Sequence, residues 1–255
     1  MTKLDEAIDR KGRPLVGLAV HHNNPAFVEI AAHLGCDALW IEMEHGHVTF
    51  RDAVELCRLA SALGMVTMVR IPDSRRENVL KACECGPDMI DLPMSNSVEV
   101  VEELVRHGRY APEGARGYFG GSRALDYGIH PIAAAQQRIN QELCLLAQIE
   151  TRQAVENADA ICSVPGINGI LIGPGDMSAS FGVPDQITHP DVTAAIETAV
   201  KTAKRHGLRV TLACPASWVA TWAPKGVDVF WCGGDVGSMR IGAKTLLDQA
   251  FGALG

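Results

Sequence analysis

No CxxC spacing occurs among the eight cysteines, which stand at 36, 57, 83, 85, 144, 162, 214 and 232. That excludes a cysteine zinc site as the organising device. Cys83 and Cys85 are two apart on a helical stretch and face different directions. The thiols lie mostly inside apolar or helical stretches, so we read them as reduced and buried, as in a cytoplasmic protein. No GxGxxG follows the first apolar run, where HHNNPAF stands instead, and a dinucleotide site has no support. The turn GPGDMS at 173–178 lacks the GK[ST] ending of a phosphate loop. Positive charge is not in excess: 23 Lys and Arg face 30 Asp and Glu, for a net charge of -7. This argues against nucleic acid or an anionic membrane as the main partner, and leaves room for a local cationic site. No run is long enough to span a bilayer, and MTKLDEAIDRKGRP has no signal-peptide core. No Pro/Gly/Ser-rich linker or charge block divides the chain, so one domain over 1–255 is expected.

What is present is a repeated alternation. Eight short apolar runs, PLVGLAV, DALWIE, MVTMVR, DMIDLP, LCLLAQIE, GILIG, RVTLA and VDVFWC, end near 20, 42, 70, 93, 150, 173, 213 and 232. Runs of this length bounded by turn residues read as buried strands. The stretches 26–34, 51–63, 76–85, 98–106, 191–206, 217–223 and 236–254 have helical periodicity. Strands alternating with helices give a parallel sheet covered by helices, and eight of them close into a (β/α)8 TIM barrel. An open doubly wound sheet is the competing arrangement. Two connections are long, 93–150 and 173–213, and long loops at the C-terminal face of a barrel carry function.

The stretch 143–181 carries most of the chemistry. LCLLAQI stops at Glu150 and GILIGPG stops at Asp176, with helical content at 152–163 between them. A strand–helix–strand unit lays its strands parallel, so both acids reach the same edge. Two carboxylates there repel unless something positive lies between them, and a divalent cation meets that need. The alternative is that Glu150 pairs locally and Asp176 caps a helix starting near Met177. Two protein carboxylates leave positions open for water and substrate, a hard oxygen site suited to Mg²⁺, Mn²⁺ or Co²⁺. A 2-oxo acid would chelate such an ion through its carboxylate and keto oxygens, and charge would move onto the keto oxygen as an enolate forms.

In a barrel the other strand ends meet at the same mouth. His21 and His22, then Glu42, Glu44 and His45, then Arg70, then Met94 and Ser95, then Gln148 fall there. Cys214, Pro215, Gly233 and Gly234 complete the rim. Arg70 leaves an apolar run and requires an anion, either Glu42 or Glu44, or a developing enolate oxygen. His45, beside acids that orient it, is a natural general base. His33, His47, His107 and His206 read as structural; His21 and His22 are open between structural and pocket-lining. Gly175, before a helix start, lets a carboxylate approach free amides.

IEMEHG at 41–46, VRIP at 69–72, LPMSNSVEVVEE at 92–103, RYAPEGARG at 109–117, QIETRQAV at 148–155 and LIGPGDMS at 171–178 resemble the class II pyruvate aldolases of the HpcH/HpaI family. The resemblance spans nearly the whole chain, with fitting spacing. It implies a (β/α)8 barrel whose C-terminal helix swaps onto a neighbour, in a hexamer built as a dimer of trimers. It implies Glu150 and Asp176 as metal ligands, His45 as proton acceptor and Arg70 as transition-state stabiliser. Gln148 and the backbone at Gly175 and Asp176 would contact the keto acid. Glu84 matches a helix aspartate that reaches the base histidine from a neighbouring subunit. The implied reaction is reversible cleavage of a 4-hydroxy-2-oxo acid to pyruvate and an aldehyde, as in the breakdown of aromatic compounds.

The chain departs from the family pattern in places. IEMEH replaces IDGEH, GPGD replaces GPAD, and HHNN and YFGGSRALDYG are atypical. These departures touch the aldehyde more than the metal. Oxaloacetate decarboxylation and acyl-CoA cleavage of the citrate or malyl type would use the same enolate. A CoA site would draw on Arg106, Arg109, Arg116 and Arg123, whose spacing outlines no nucleotide pocket. A non-catalytic scaffold would be expected to have lost an acid, the base or the arginine, and all are present.

Overall fold

The structure is a computed structural model and describes residues 1–254. Its elements run α1 (Lys3–Lys11), β1 (Leu15–Val20), α2 (Pro25–His33), β2 (Ala38–Glu42), α3 (Phe50–Ala62), β3 (Val66–Arg70), α4 (Arg76–Glu84), β4 (Met89–Leu92) and α5 (Val98–Gly108). They continue through α6 (Ile132–Glu142), β5 (Cys144–Ile149), α7 (Arg152–Glu156), α8 (Ala158–Cys162), β6 (Gly169–Ile172), α9 (Pro174–Ser180) and α10 (Pro190–Arg205). The chain ends with β7 (Arg209–Ala213), α11 (Val219–Trp222), β8 (Val229–Gly234) and α12 (Asp235–Gly252). Each strand pairs parallel with the next, and β8 returns to β1 through Leu15 and Val229, so the sheet closes as a TIM barrel.

Strand alternation sorts the side chains into two cores. Leu15, Trp40, Met68, Met89, Leu146 and Trp231 fill the barrel interior. Their chain neighbours, such as Leu39, Ile41, Val69, Ile90, Leu145 and Phe230, pack outward under the helices. Inside, Trp40 and Trp231 meet edge to face with ring centroids 5.7 Å apart. Gly17 makes room for them, because a Cβ there would stand 2.4 Å from the Trp231 ring. The N-terminal end of the barrel is plugged by α1, whose Leu4 and Ala7 join the inner core and whose Asp5 receives Arg209 Nε at 2.7 Å. The first turn of α1 is fixed by a capping box between Thr2 and Asp5. Only the C-terminal mouth is left for chemistry.

The structure departs from the sequence reading in two of its connections. The segment 152–163 is two short helices, α7 and α8. The long connection 93–150 contains an additional helix, α6, and a 3-10 turn over Arg123–Gly128. The α6 sequence IAAAQQRINQE buries only Ala135, Ile139 and Asn140, too small an apolar stripe to stand out by period. In the same connection Arg109 is buried and donates to the carbonyls of Asn140, Leu143 and Gly166 and to Asn168 Oδ1. All eight cysteines are free thiols, and six are buried.

The last helix, α12, packs mainly on β1 and β8 at its root and leaves Met239, Ile241, Leu246, Leu247 and Phe251 exposed. No helix among the described residues is long and apolar enough to cross a membrane. The interior packing makes a direct prediction. Gly17→Val is expected to cost about 1–3 kcal/mol in urea unfolding, through overpacking against Trp231. Measured against Trp231→Leu alone, the same Gly17→Val change is expected to cost less; a neutral Gly17→Val would show that this contact does not limit the core.

Candidate active site at the barrel mouth

The inward side chains at the C-terminal ends of β2 to β5 are charged or polar: Glu42, Arg70, Asp91 and Gln148, with Glu150 just beyond. Glu42 is fully buried and does two things. Its Oε1 accepts from the amides of Glu44 (2.7 Å) and His45 (2.9 Å), which folds the turn that carries His45. Its Oε2 receives Arg70 Nε and Nη2, each at 2.6 Å. Gly46 is required by this turn, since a Cβ would lie 2.4 Å from the Glu42 carbonyl oxygen and 2.8 Å from that of His21.

Arg70 is nearly buried and lies over the Trp40 ring, its Cζ 4.8 Å from the centroid. Its Nη1 is 3.1 Å from Glu44 Oε2, close but without hydrogen-bond alignment. The ion pairs with Glu42 and Glu44 are therefore present. Of the five N–H groups of a guanidinium, some are left to face a ligand. Burial works to lower the Arg70 pKa, but Glu42, Asp91 and Glu44 outweigh it and the net direction is up. His45 is exposed, with Nε2 3.7 Å from Glu44 Oε2.

Glu150 stands across from this cluster and is buried. Its Oε1 accepts the Met94 amide at 2.7 Å, and its Oε2 takes a short hydrogen bond from Gln148 Nε2. Met94 holds a left-handed φ of 51°, an uncommon state for this residue type, and that turn aims its N–H at the carboxylate. Burial pushes Glu150 up to about 7; Asp176 and Glu44 push the same way, against the hydrogen bonds from Met94 and Gln148. Gly173 has to be small here, since a Cβ would sit 2.9 Å from Glu150 Oε2. Asp176 lies in the first turn of α9, exposed, where a carboxylate suits the helix N-terminus. The sequence reading started that helix near Met177; it begins at Pro174, so Gly175 and Asp176 are within its first turn. A Cβ on Gly175 would meet nothing within 4 Å.

These residues fit a divalent cation. Glu150 and Asp176 each raise the local negative potential, and oxygen ligands of this kind suit hard ions. Among the described residues no three His, Cys, Asp or Glu side chains converge in metal-ligand geometry. Glu150 and Asp176 are thus the two carboxylates that would hold such an ion.

Glu84 does not join the mouth of its own barrel. It ends α4, which runs back toward the N-terminal face, and its Oε1 meets the buried Arg116 Nη2 at 3.1 Å. The arginines considered for a CoA groove are largely committed elsewhere: Arg109 to four oxygens, Arg116 to Glu84, and Arg123 to the carbonyls of Cys85 and Gly86. Sequence reasoning missed Asp91, which is wholly buried with neither oxygen hydrogen-bonded. Burial raises Asp91 well above the usual carboxylate range, opposed by Arg70 and aided by Glu150, Glu42 and Glu44. Its inward register, two residues after Met89, was the available signal. Trp40 beneath Arg70 was likewise missed, being hidden in an apolar run.

Comparison with known proteins gives the family. The model of the family described as HpcH/HpaI aldolase/citrate lyase matches residues 15–240. A 2-keto-3-deoxy-L-rhamnonate aldolase from Klebsiella pneumoniae is 34% identical over 227 residues, covering 86% of this chain and 84% of the relative. The Escherichia coli K12 protein of the same name is 31% identical over 228 residues, covering 86% and 85%. Among solved structures, an HpcH/HpaI aldolase from Desulfitobacterium hafniense superposes with a TM-score of 0.90 at 28% identity, covering 98% of this chain and 96% of that one. By a match along most of its length, over a barrel with this mouth, the chain belongs to the HpcH/HpaI aldolase/citrate lyase family.

Proposed function

We propose that this protein catalyses the reversible, metal-dependent aldol cleavage of a 4-hydroxy-2-oxo acid to pyruvate and an aldehyde. The observation that carries the reading is the crowding of Glu150 by Asp176 and Glu44 opposite a buried Arg70. The relatives named for 2-keto-3-deoxy-L-rhamnonate support a sugar-acid substrate for this chain as well. Glu150 and Asp176 would hold the ion, Mg²⁺, Mn²⁺ or Co²⁺. When bound, it supplies Lewis acidity toward the keto and carboxylate oxygens of the substrate.

The side chains have separate tasks in this account. Gln148 and the amides at Gly175 and Asp176 orient the keto acid. His45, through a water, takes the proton from the C4 hydroxyl as the C3–C4 bond breaks and the aldehyde leaves. Arg70, fixed by Glu42 and Trp40, donates to the keto oxygen while negative charge gathers there, and C3 of the enolate is then protonated to give pyruvate. Glu84 acts on His45 only from a second subunit, which requires the homo-oligomer that the exposed face of α12 also favours. In that assembly α12 covers a neighbouring barrel. Oxaloacetate decarboxylation shares the enolate and remains the second reading; the commitment of Arg109, Arg116 and Arg123 disfavours acyl-CoA.

Two measurements test the assignment. Exchange of pyruvate methyl protons in deuterium oxide, followed by NMR, is expected to require the divalent ion. It should vanish in Glu150→Gln and Asp176→Asn, and Arg70→Lys should slow it about 10²- to 10³-fold. Wild-type exchange in Glu150→Gln would remove the ligand assignment.

The second test is the pH dependence of metal binding. Glu150 keeps its proton to about 7, against an ordinary 4.5. An acid raised this way lends full stability below its unfolded value and loses it as pH climbs through the folded one. The ion competes with that proton. Thermal stabilisation by Mn²⁺ should therefore be small near about pH 6 and grow through about pH 7 to a plateau. Glu150→Gln should flatten the curve; a wild-type increment that does not change with pH would contradict this.

A further inference from the structure

The mouth is divided into two unlike halves. The charged half is built by β2 to β5 with Asp176. On the other half the inward positions at the strand tops are Gly173, Ala213 and Gly233, none with a polar side chain. A Cβ on Gly233 would meet nothing within 4 Å, so the mouth is open above β8. At the top of β1, the next strand in the ring, stands His21, partly exposed. Along β1, Leu15 and Ala19 belong to the inner core, Gly17 faces Trp231, and Val20 packs outward. His21 continues the inward series. In an eight-stranded ring β1 lies opposite β5, so the strand tops that carry His21 and Glu150 stand on opposite sides of the mouth.

His21 is held in one orientation. Its Nδ1 is 2.9 Å from Asp235 Oδ1, which also accepts the His21 amide at 3.1 Å and the Val236 amide at 2.9 Å. Asp235 is wholly buried at the root of α12. Burial works to raise its pKa, but the hydrogen bonds from His21 and Val236 outweigh it and hold the carboxyl low. An ionised Asp235 takes the Nδ1 proton, which fixes the tautomer and leaves the Nε2 lone pair as an acceptor. The second oxygen, Oδ2, is 3.6 Å from His22 Nδ1 without a hydrogen bond.

We propose that His21, positioned by Asp235, accepts a hydrogen bond from a hydroxyl on the aldehyde half of the substrate and so sets a preference for hydroxylated aldehydes. The inference rests on the proposed aldol reaction, which places the pyruvate half against Glu150 and Arg70 and sends the remainder toward β1. With Nδ1 turned to Asp235, an Nε2 lone pair selects an O–H donor over a bare methyl group, and over a carboxylate, which has no proton to give.

The test uses the Mn²⁺-loaded full-length enzyme and pyruvate, with glycolaldehyde and acetaldehyde as acceptors of equal length. Wild type is expected to favour glycolaldehyde in kcat/KM. His21→Asn keeps a donor near the Nδ1 position for Asp235 and removes the Nε2 acceptor. It should shrink the glycolaldehyde-to-acetaldehyde ratio about ten- to hundred-fold. His21→Gln, which returns an acceptor near Nε2, should restore part of it, and Asp235→Ala, which removes the Oδ1 acceptor, should shrink the ratio through loss of the tautomer. Equal losses on both aldehydes would make His21 a merely structural tie and overturn the proposal, as would a wild type without preference. Absence of pyruvate proton exchange in the wild type would instead sink the aldol reading, and this inference with it.

Discussion

Around the guanidinium of Arg70 the barrel mouth gathers more negative charge than one cation can balance. Glu42 and Glu44 touch it, and Asp91 lies within electrostatic reach. Glu150 and Asp176 add to the same field from the far side. Carboxylates taken out of water are costly unless paired, protonated or bound to a metal. Glu42 is paired, and Asp91 is driven toward its protonated form. Glu150 is raised to about 7, with Asp176 and Glu44 adding to the rise. The cation proposed between Glu150 and Asp176 would relieve that crowding and would also draw electron density from a bound 2-oxo acid, so one cause would serve both.

The scaffold keeps this arrangement from relaxing. Glu42 binds the His45 turn and Arg70 with opposite oxygens, so base and cation are set by one side chain. Below Arg70 lies Trp40, below Trp40 lies Trp231, and Gly17 gives that ring its space. α1 closes the other end of the barrel. Met94, in its left-handed turn, and the bare Gly173 hold Glu150 from two sides. The packing beneath is tight, and above β8, at Gly233, the mouth is open.

The eight strands and their parallel closure were legible because each is a short, continuous apolar run. Such runs are what a sheet buried on both faces demands. Glu150 and Arg70 were legible for a related reason: a charge that ends an apolar run falls at a strand terminus, whereas Asp176 falls in the first turn of the helix that follows β6. Asp91 was not, because DMIDLP hides an inward acid among apolar residues and only the register reveals which way it points. α6 escaped because its buried stripe is mostly small. Glu84 reads as a candidate from its match to the family, yet its helix direction carries it to the opposite end of its own barrel. The tie between His21 and Asp235 joins residues 214 apart in sequence, a distance that no local pattern encodes.

The central claim is that Glu150 and Asp176 share one divalent ion with a keto acid. Crystals grown with Mn²⁺ and oxalate, measured at the manganese absorption edge, test it most directly. The account predicts a single anomalous peak bridged by both carboxylates, with the two oxalate oxygens completing the contact beside Arg70. A peak bound by only one of them, or one lying away from the mouth, would contradict it.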